Sequence, residues 1–110
     1  MTDLINGALI EPAAIGYTVT AFMTLEISQG SGHGRIEDRL AAIPELLELH
    51  TITGAGDMLC RVVARSNADL QRVVDAVLAV PGVTRTSTVI ALARPIPYRT
   101  LPLVDRAVVG

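Results

Sequence analysis

The chain has 110 residues, half of them apolar and 18% charged, with a formal net charge of -2. That is one domain's worth of foldable sequence: it excludes two independent globular domains and argues against disorder, because so apolar a chain can bury enough surface to offset its conformational entropy. The nine basic residues are all Arg, spread singly from Arg35 to Arg106, and with a pI near 5.5 they form no basic run, which argues against direct nucleic-acid binding by this chain alone.

A domain of this size buries only about 60–70% of the surface its unfolded chain exposes. So apolar a composition therefore predicts that another subunit covers part of the surface. Cys60 is the single cysteine and His33 and His50 are the two histidines, which excludes an intramolecular disulfide framework and a structural zinc site. The N-terminal Met1-Thr2-Asp3-Leu4 has no basic stretch leading into an apolar one, and no run of about 18 apolar residues occurs anywhere. A soluble, cytoplasmic chain with no membrane association is expected.

Residues 17–27 alternate, with Tyr17, Val19, Ala21, Met23, Leu25 and Ile27 on one side and mostly Thr on the other, and read as a strand. A glycine-rich turn, 28–34, follows. Ile36, Leu40 and Ile43 then recur at helical spacing and predict a short amphipathic helix ending before Pro44. Leu46 to Thr53 and Asp57 to Arg65 are two apolar runs joined by Gly54-Ala55-Gly56, a hairpin connection able to adopt positive φ. Ser66 or Asn67 offers an N-cap to a second helix with Leu70, Val73, Val74, Val77 and Leu78 on one stripe, stopping at Pro81-Gly82. Val83 to Leu92 reads as a fourth strand, with Thr84, Thr86, Thr88 and Ile90 sharing a face.

Strand, helix, strand, strand, helix, strand is the order of the α+β ferredoxin-like plait, an antiparallel sheet with two helices on one face. Phe22, Ile52 and Ile90 are among the residues expected on the other face, and dimerisation through the sheet is the economical way to cover them. The expected organisation is an arm over residues 1–16, the plait over 17–92 and a proline-containing arm over 93–110.

The constellation with most chemical content is Thr53-Gly54-Ala55-Gly56-Asp57. Two glycines allow close approach to the backbone, their N–H groups suit a carboxylate, and a neighbouring Asp suits an ammonium group. These are the needs of a free α-amino acid. On the pentapeptide alone an alternative stays open, in which the glycines only make the turn and Asp57 only satisfies backbone amides.

This hairpin, the segment from Val80-Pro81-Gly82 to Leu92 and the early Leu9-Ile10-Glu11-Pro12 occur in an order that resembles the effector-binding half of the Lrp/AsnC family of feast/famine regulators, the RAM domain, from about Gly7 to Leu92. The resemblance implies the plait itself, dimers formed through the sheets, dimers assembled into octamer-like rings, and free amino acids bound in clefts between dimers. It implies no cofactor. Carried over by position, it places the effector loop on Gly54, Ala55, Gly56 and Asp57 with Met58 just inside the third strand, and a second effector-sensitive stretch on Thr86, Thr88, Val89, Ile90 and Ala91. The linker-like Leu9-Ile10-Glu11-Pro12 stands almost at Met1, without the roughly 50 residues of a helix-turn-helix and its linker. The expectation is a stand-alone RAM protein that does not read DNA directly; a truncated regulator would show the same sequence.

Other residues read plainly. Cys60 shares parity with Met58 and Val62 and is expected as a small buried hydrophobe. His50 is expected at an interface or edge, His33 in solvent, and Arg61 and Arg65 at an interface. The acids Glu37, Asp38, Glu45 and Glu48 show no pairing that would set an acid and a base apart. The leading function is a non-enzymatic amino-acid sensor, a homo-oligomer able to join full-length Lrp/AsnC regulators. The alternatives are a small ferredoxin-like enzyme, of the dimeric monooxygenase or haem-pathway decarboxylase type, and a scaffold with an empty cleft.

Overall fold

A computed structural model describes residues 10–28, 33–54 and 56–109, without the side chains of His33, Gly34 and Val109. Residues 1–9, 29–32, 55 and 110 lie outside the described residues, and with them Ala55 of the expected effector loop and most of the glycine-rich turn expected over 28–34. A short 3-10 turn, Pro12–Ile15, precedes strand β1, Val19–Ile27. Helix α1 spans His33–Ala41, strands β2 and β3 span Leu46–Thr51 and Met58–Ala64, helix α2 spans Asn67–Leu78 and strand β4 spans Val83–Ala91. A further helix, α3, spans Leu101–Val109.

The four strands form one antiparallel sheet in the order β2-β3-β1-β4, the ferredoxin-like plait. Alternation in β1 sends Ala21, Met23 and Leu25 into the core, where they meet Met58, Cys60 and Val62 of β3. Ile36 and Leu40, one turn apart on α1, and Leu70, Val73 and Val77 of α2 close the core from above. Helix α1 stops short of Ile43, which packs against the core from the following turn. Leu78, expected on the buried stripe of α2, is 42% exposed at the helix end.

The N-terminus of α2 is capped twice. The Ser66 hydroxyl accepts from the Asp69 N–H at 3.0 Å, and the Asp69 carboxylate accepts from the Arg65 N–H at 3.0 Å, so two amides that the helix cannot satisfy find partners. Arg72 then joins Asp69 to Glu45 at 2.8 Å each, tying α2 to the residue before β2.

Two expectations about faces need correction. Ile90 pairs with Ala21, so it lies on the helix-covered side of the sheet and not with Phe22 on the open side. Thr84 does not share the face of Thr86, Thr88 and Ile90. The register between β1 and β4 shifts at Glu26/Ile27, Val83 pairs with Ile27 and turns inward, and Thr84 is the extra residue whose hydroxyl donates to Glu26 O at 3.1 Å. A second irregularity between Leu46 and Glu48 lets Leu46 and Leu49 both pack against the core.

The open face carries Thr20, Phe22 and Thr24 of β1, with Leu59 and Arg61 of β3 and Val89 of β4 in register beside them. Phe22 is 39% and Val89 63% exposed. The N-terminal turn and the stretch after β4 meet there, joined by Arg94 and Glu11 at 3.0 Å. Helix α3 was not foreseen within the proline-containing arm. Pro102 sits in its first turn, where a missing N–H does no harm, and its described side chains, Leu101 to Val108, are all exposed.

Candidate functional site

The β2–β3 hairpin is closed by the Ile52 N–H donating to Asp57 O at 3.1 Å. Gly54 and Gly56 have φ of 92° and 84°, so both occupy the left-handed region that the turn requires. They differ in surroundings. A Cβ on Gly54 would meet nothing within 4 Å, whereas one on Gly56 would stand 3.3 Å from Thr24 Cβ. The hairpin therefore presses against β1 at Gly56 and opens to solvent at Gly54.

Asp57 follows, exposed, at the junction with β3. Its N–H donates to Leu25 O at 2.8 Å, and its Oδ2 accepts from the Ile27 N–H at 2.7 Å. Among the described residues Oδ1 has no partner. The carboxylate thus does what the plainer reading of the motif allowed, satisfying a backbone amide. Met58 is fully buried against the core, one residue further.

Register decides which of the other expected residues join this hairpin. Leu25 pairs with Met58 on one side and Thr86 on the other, so Met58, Leu25 and Thr86 form one row on the helix side of the sheet. Thr88 lies in the next row with Met23 and Cys60, and Ile90 in the one after with Ala21 and Val62. Val89 and Ala91 pair with Phe22 and Thr20 and so belong to the opposite face. The expected β4 set is split: Thr86 and Thr88 approach the hairpin's end of the sheet, and Val89 and Ala91 line the open face.

That open face has its own features, which the linear sequence did not reveal. A cavity of about 510 Å³ is bounded by Thr20, Arg61 and Val63 of the sheet with Glu11, Arg94 and Tyr98 of the flanking segments. Glu48 stands between two side chains there, hydrogen-bonded to His50 Nε2 at 2.9 Å and 3.2 Å from Arg61 Nε, the second contact lacking hydrogen-bond alignment and leaving the buried Nε unsatisfied. His50 lies on the edge strand β2, as expected of it. Arg65 is engaged within its own chain, its guanidinium 4.5 Å over the Tyr17 ring. His33 opens α1 and does not lie in the glycine-rich turn.

The remaining candidates for chemistry are quiet. Burial pushes the Cys60 thiol up to about 11, which leaves it protonated and unreactive near neutral pH. Among the described residues no group of three or more His, Cys, Asp or Glu is placed to hold a metal ion, and no helix is long and apolar enough to cross a membrane.

The model of the Lrp/AsnC ligand binding domain matches residues 20–101. An HTH-type transcriptional regulator of Pyrococcus horikoshii is 32% identical over 85 residues, which are 77% of this chain and 56% of that protein. The chain therefore spans about half the length of the curated relatives it matches. Among solved structures, a transcriptional regulator of Neisseria meningitidis in complex with L-Met has a TM-score of 0.79 at 20% identity, covering 96% of this chain and 73% of that one. The feast or famine regulatory protein of M. tuberculosis complexed with L-methionine has a TM-score of 0.73 at 21% identity, covering 89% and 70%. These relatives are transcriptional regulators, which disfavours the ferredoxin-like enzyme considered above.

Proposed function

Because this chain belongs to the Lrp/AsnC family and carries that family's ligand-binding domain, we propose that it senses a free amino acid bound at the β2–β3 hairpin. The observation that carries this reading is the hairpin itself: two glycines at positive φ, one of them open to solvent, beside an exposed Asp57 whose carboxylate ties the hairpin to the Ile27 amide. Backbone N–H groups there suit the effector carboxylate, and Thr86 stands in the same row of the sheet as Leu25 and Met58, beside the hairpin's end. Gly54, Ala55 and Gly56 form the primary site in this proposal, framed by Asp57, which holds the hairpin, and by Met58, which anchors the start of β3 in the core. Ile90 lies two rows beyond Thr86, and Val89 and Ala91 lie on the open face, so these three are left out of the proposed hairpin site.

The hairpin of one chain is exposed, so an effector is enclosed only when a second surface closes over it. We therefore place the site between copies, with homodimers formed through the open sheet face assembling into an octamer-like ring in the cytoplasm. The effector acts by binding one assembly more tightly than another, since a ligand shifts an equilibrium only by its differential affinity. Full-length Lrp/AsnC regulators are the partners through which such a shift reaches DNA.

A thermal-shift screen against the twenty amino acids, with light scattering on each hit, tests this, because a ligand that binds the folded state raises its apparent stability. A stereoselective shift accompanied by a change in assembly size is the expected result. No shift with any amino acid, in a particle already of ring size, overturns the sensor and leaves the scaffold.

A further inference from the structure

The end of β1 is held by two elements at once. On the hairpin side, Leu25 O accepts the Asp57 N–H and the Ile27 N–H donates to Asp57 Oδ2 at 2.7 Å. On the other side, the Thr84 hydroxyl donates to Glu26 O at 3.1 Å and the Ser28 N–H donates to Gly82 O at 2.8 Å. Pairing with β3 ends at Leu25–Met58, and pairing with β4 slips between Glu26 and Ile27. The Ile27 amide, on a residue 9% exposed, falls where the ladder with β3 has run out, and a buried amide requires an acceptor. The acceptor is a side chain 30 residues away, on the hairpin assigned to the effector.

We propose that Asp57 is a positioning residue for effector binding, its carboxylate clamping the two-glycine hairpin to the Ile27 amide so that the hairpin meets the effector already ordered. The inference rests on the amino-acid site for its ligand, while the clamp itself belongs to the free chain. Two glycines give the hairpin wide backbone freedom, and fixing it before binding removes an ordering penalty from the binding step. The clamp needs an oxygen acceptor but no charge, and an Asn side chain supplies that acceptor. A direct partner for the effector ammonium needs the charge. The two roles therefore separate at Asp57→Asn.

Asp57→Asn and Asp57→Ala are compared with the wild type by hydrogen exchange of the Ile27 amide without ligand, and by thermal shift and titration calorimetry with L-methionine and the other nineteen amino acids. Asp57→Asn is expected to keep Ile27 protection and to bind within about threefold of wild type, whereas Asp57→Ala exchanges Ile27 at least about tenfold faster and binds at least about tenfold more weakly. Unchanged Ile27 exchange in Asp57→Ala overturns the clamp. Lost binding in Asp57→Asn with Ile27 protection intact overturns the positioning role and makes the carboxylate a direct partner of the ammonium. If Asp57→Ala is too unstable to titrate, binding by Asp57→Asn alone decides between these roles. If the wild type responds to no amino acid, the effector site and the positioning role fall together, and Ile27 exchange in the variants still decides whether the clamp exists.

Discussion

Gly54 and Gly56 share a backbone conformation and differ in what surrounds them, so their substitutions separate two physical effects. Alanine at either position is forced into the left-handed region, a strain of about 1–2 kcal/mol. At Gly56 the new methyl also stands 3.3 Å from Thr24 Cβ, and Thr24 sits on a strand paired on both sides that has little room to yield. Gly56→Ala is therefore expected to lower the denaturant midpoint more than Gly54→Ala, with the m-value unchanged in both. The need for glycine was legible in the sequence, because a short connection between two apolar runs calls for positive φ. The unequal crowding was not, since Thr24 is more than thirty residues away and reaches the hairpin only through the sheet. Asp57 is the same case: its type and place were read from the sequence, and its bond to the Ile27 amide depends on where two ladders end.

Helix α2 is attached to the sheet by charge as well as by its buried stripe. The Arg72 guanidinium hydrogen-bonds Glu45 and Asp69 and holds both carboxyls below their ordinary values of 4.5 and 3.8, with burial opposing this at Glu45 and the Arg65 N–H adding to it at Asp69. Lowered carboxyl values mean that the unfolded chain binds more protons at acid pH. The stabilisation is complete above those ordinary values and is lost as pH falls through them towards the lowered ones. Arg72→Gln is expected to lower stability at neutral pH modestly and to flatten the acid limb of a plot of stability against pH by the same amount, so that the two curves converge at acid pH. Denaturant titrations from neutral pH down to about pH 3 check it, and an acid limb as steep as the wild type's is the contrary result.

Helix α3 belongs to the same scale. Nine residues are too few for a stable helix in isolation, and the described side chains of Leu101 to Val108 are all exposed. Deleting residues 101–110 is expected to leave the plait folded, with the melting transition of the remaining chain still cooperative. Loss of that cooperative transition would assign α3 a share in the core. The sequence signal for this helix was Pro102 followed by apolar residues, and the neighbouring prolines at 95 and 97 obscured it.

The whole molecule presents one sheet face sealed by two helices and one without such a cover. Phe22 and Val89 pair with each other in the middle of the open face and remain partly exposed there. In the proposed dimer a partner copy buries this exposed apolar pair. Phe22→Glu places a charge at that centre without touching the core. It is expected to reduce the mass measured by light scattering to that of a single chain while far-UV circular dichroism stays that of the folded protein. An unchanged assembly size would move the interface elsewhere on the molecule.

By itself the sequence determined the order of strands and helices within the plait, the hairpin and its glycines, the burial of Met23, Leu25, Cys60 and Val73, and the likeness to the Lrp/AsnC ligand-binding domain. All but the likeness follow from periodicity and turn chemistry, which act over a few residues, and the likeness rests on the order of three short segments. Only the tertiary structure decided that Ile90 faces the helices, that Thr84 drops out of its row, that Val89 and Ala91 stand on the face opposite Thr86 and Thr88, and that Asp57 holds the Ile27 amide. Strict alternation cannot turn both Val83 and Thr86 inward, three positions apart, and the register slip opposite Glu26 and Ile27 does so. Such a slip is set by the packing of β1 against β4, between residues more than fifty apart in the chain, and no local pattern encodes it.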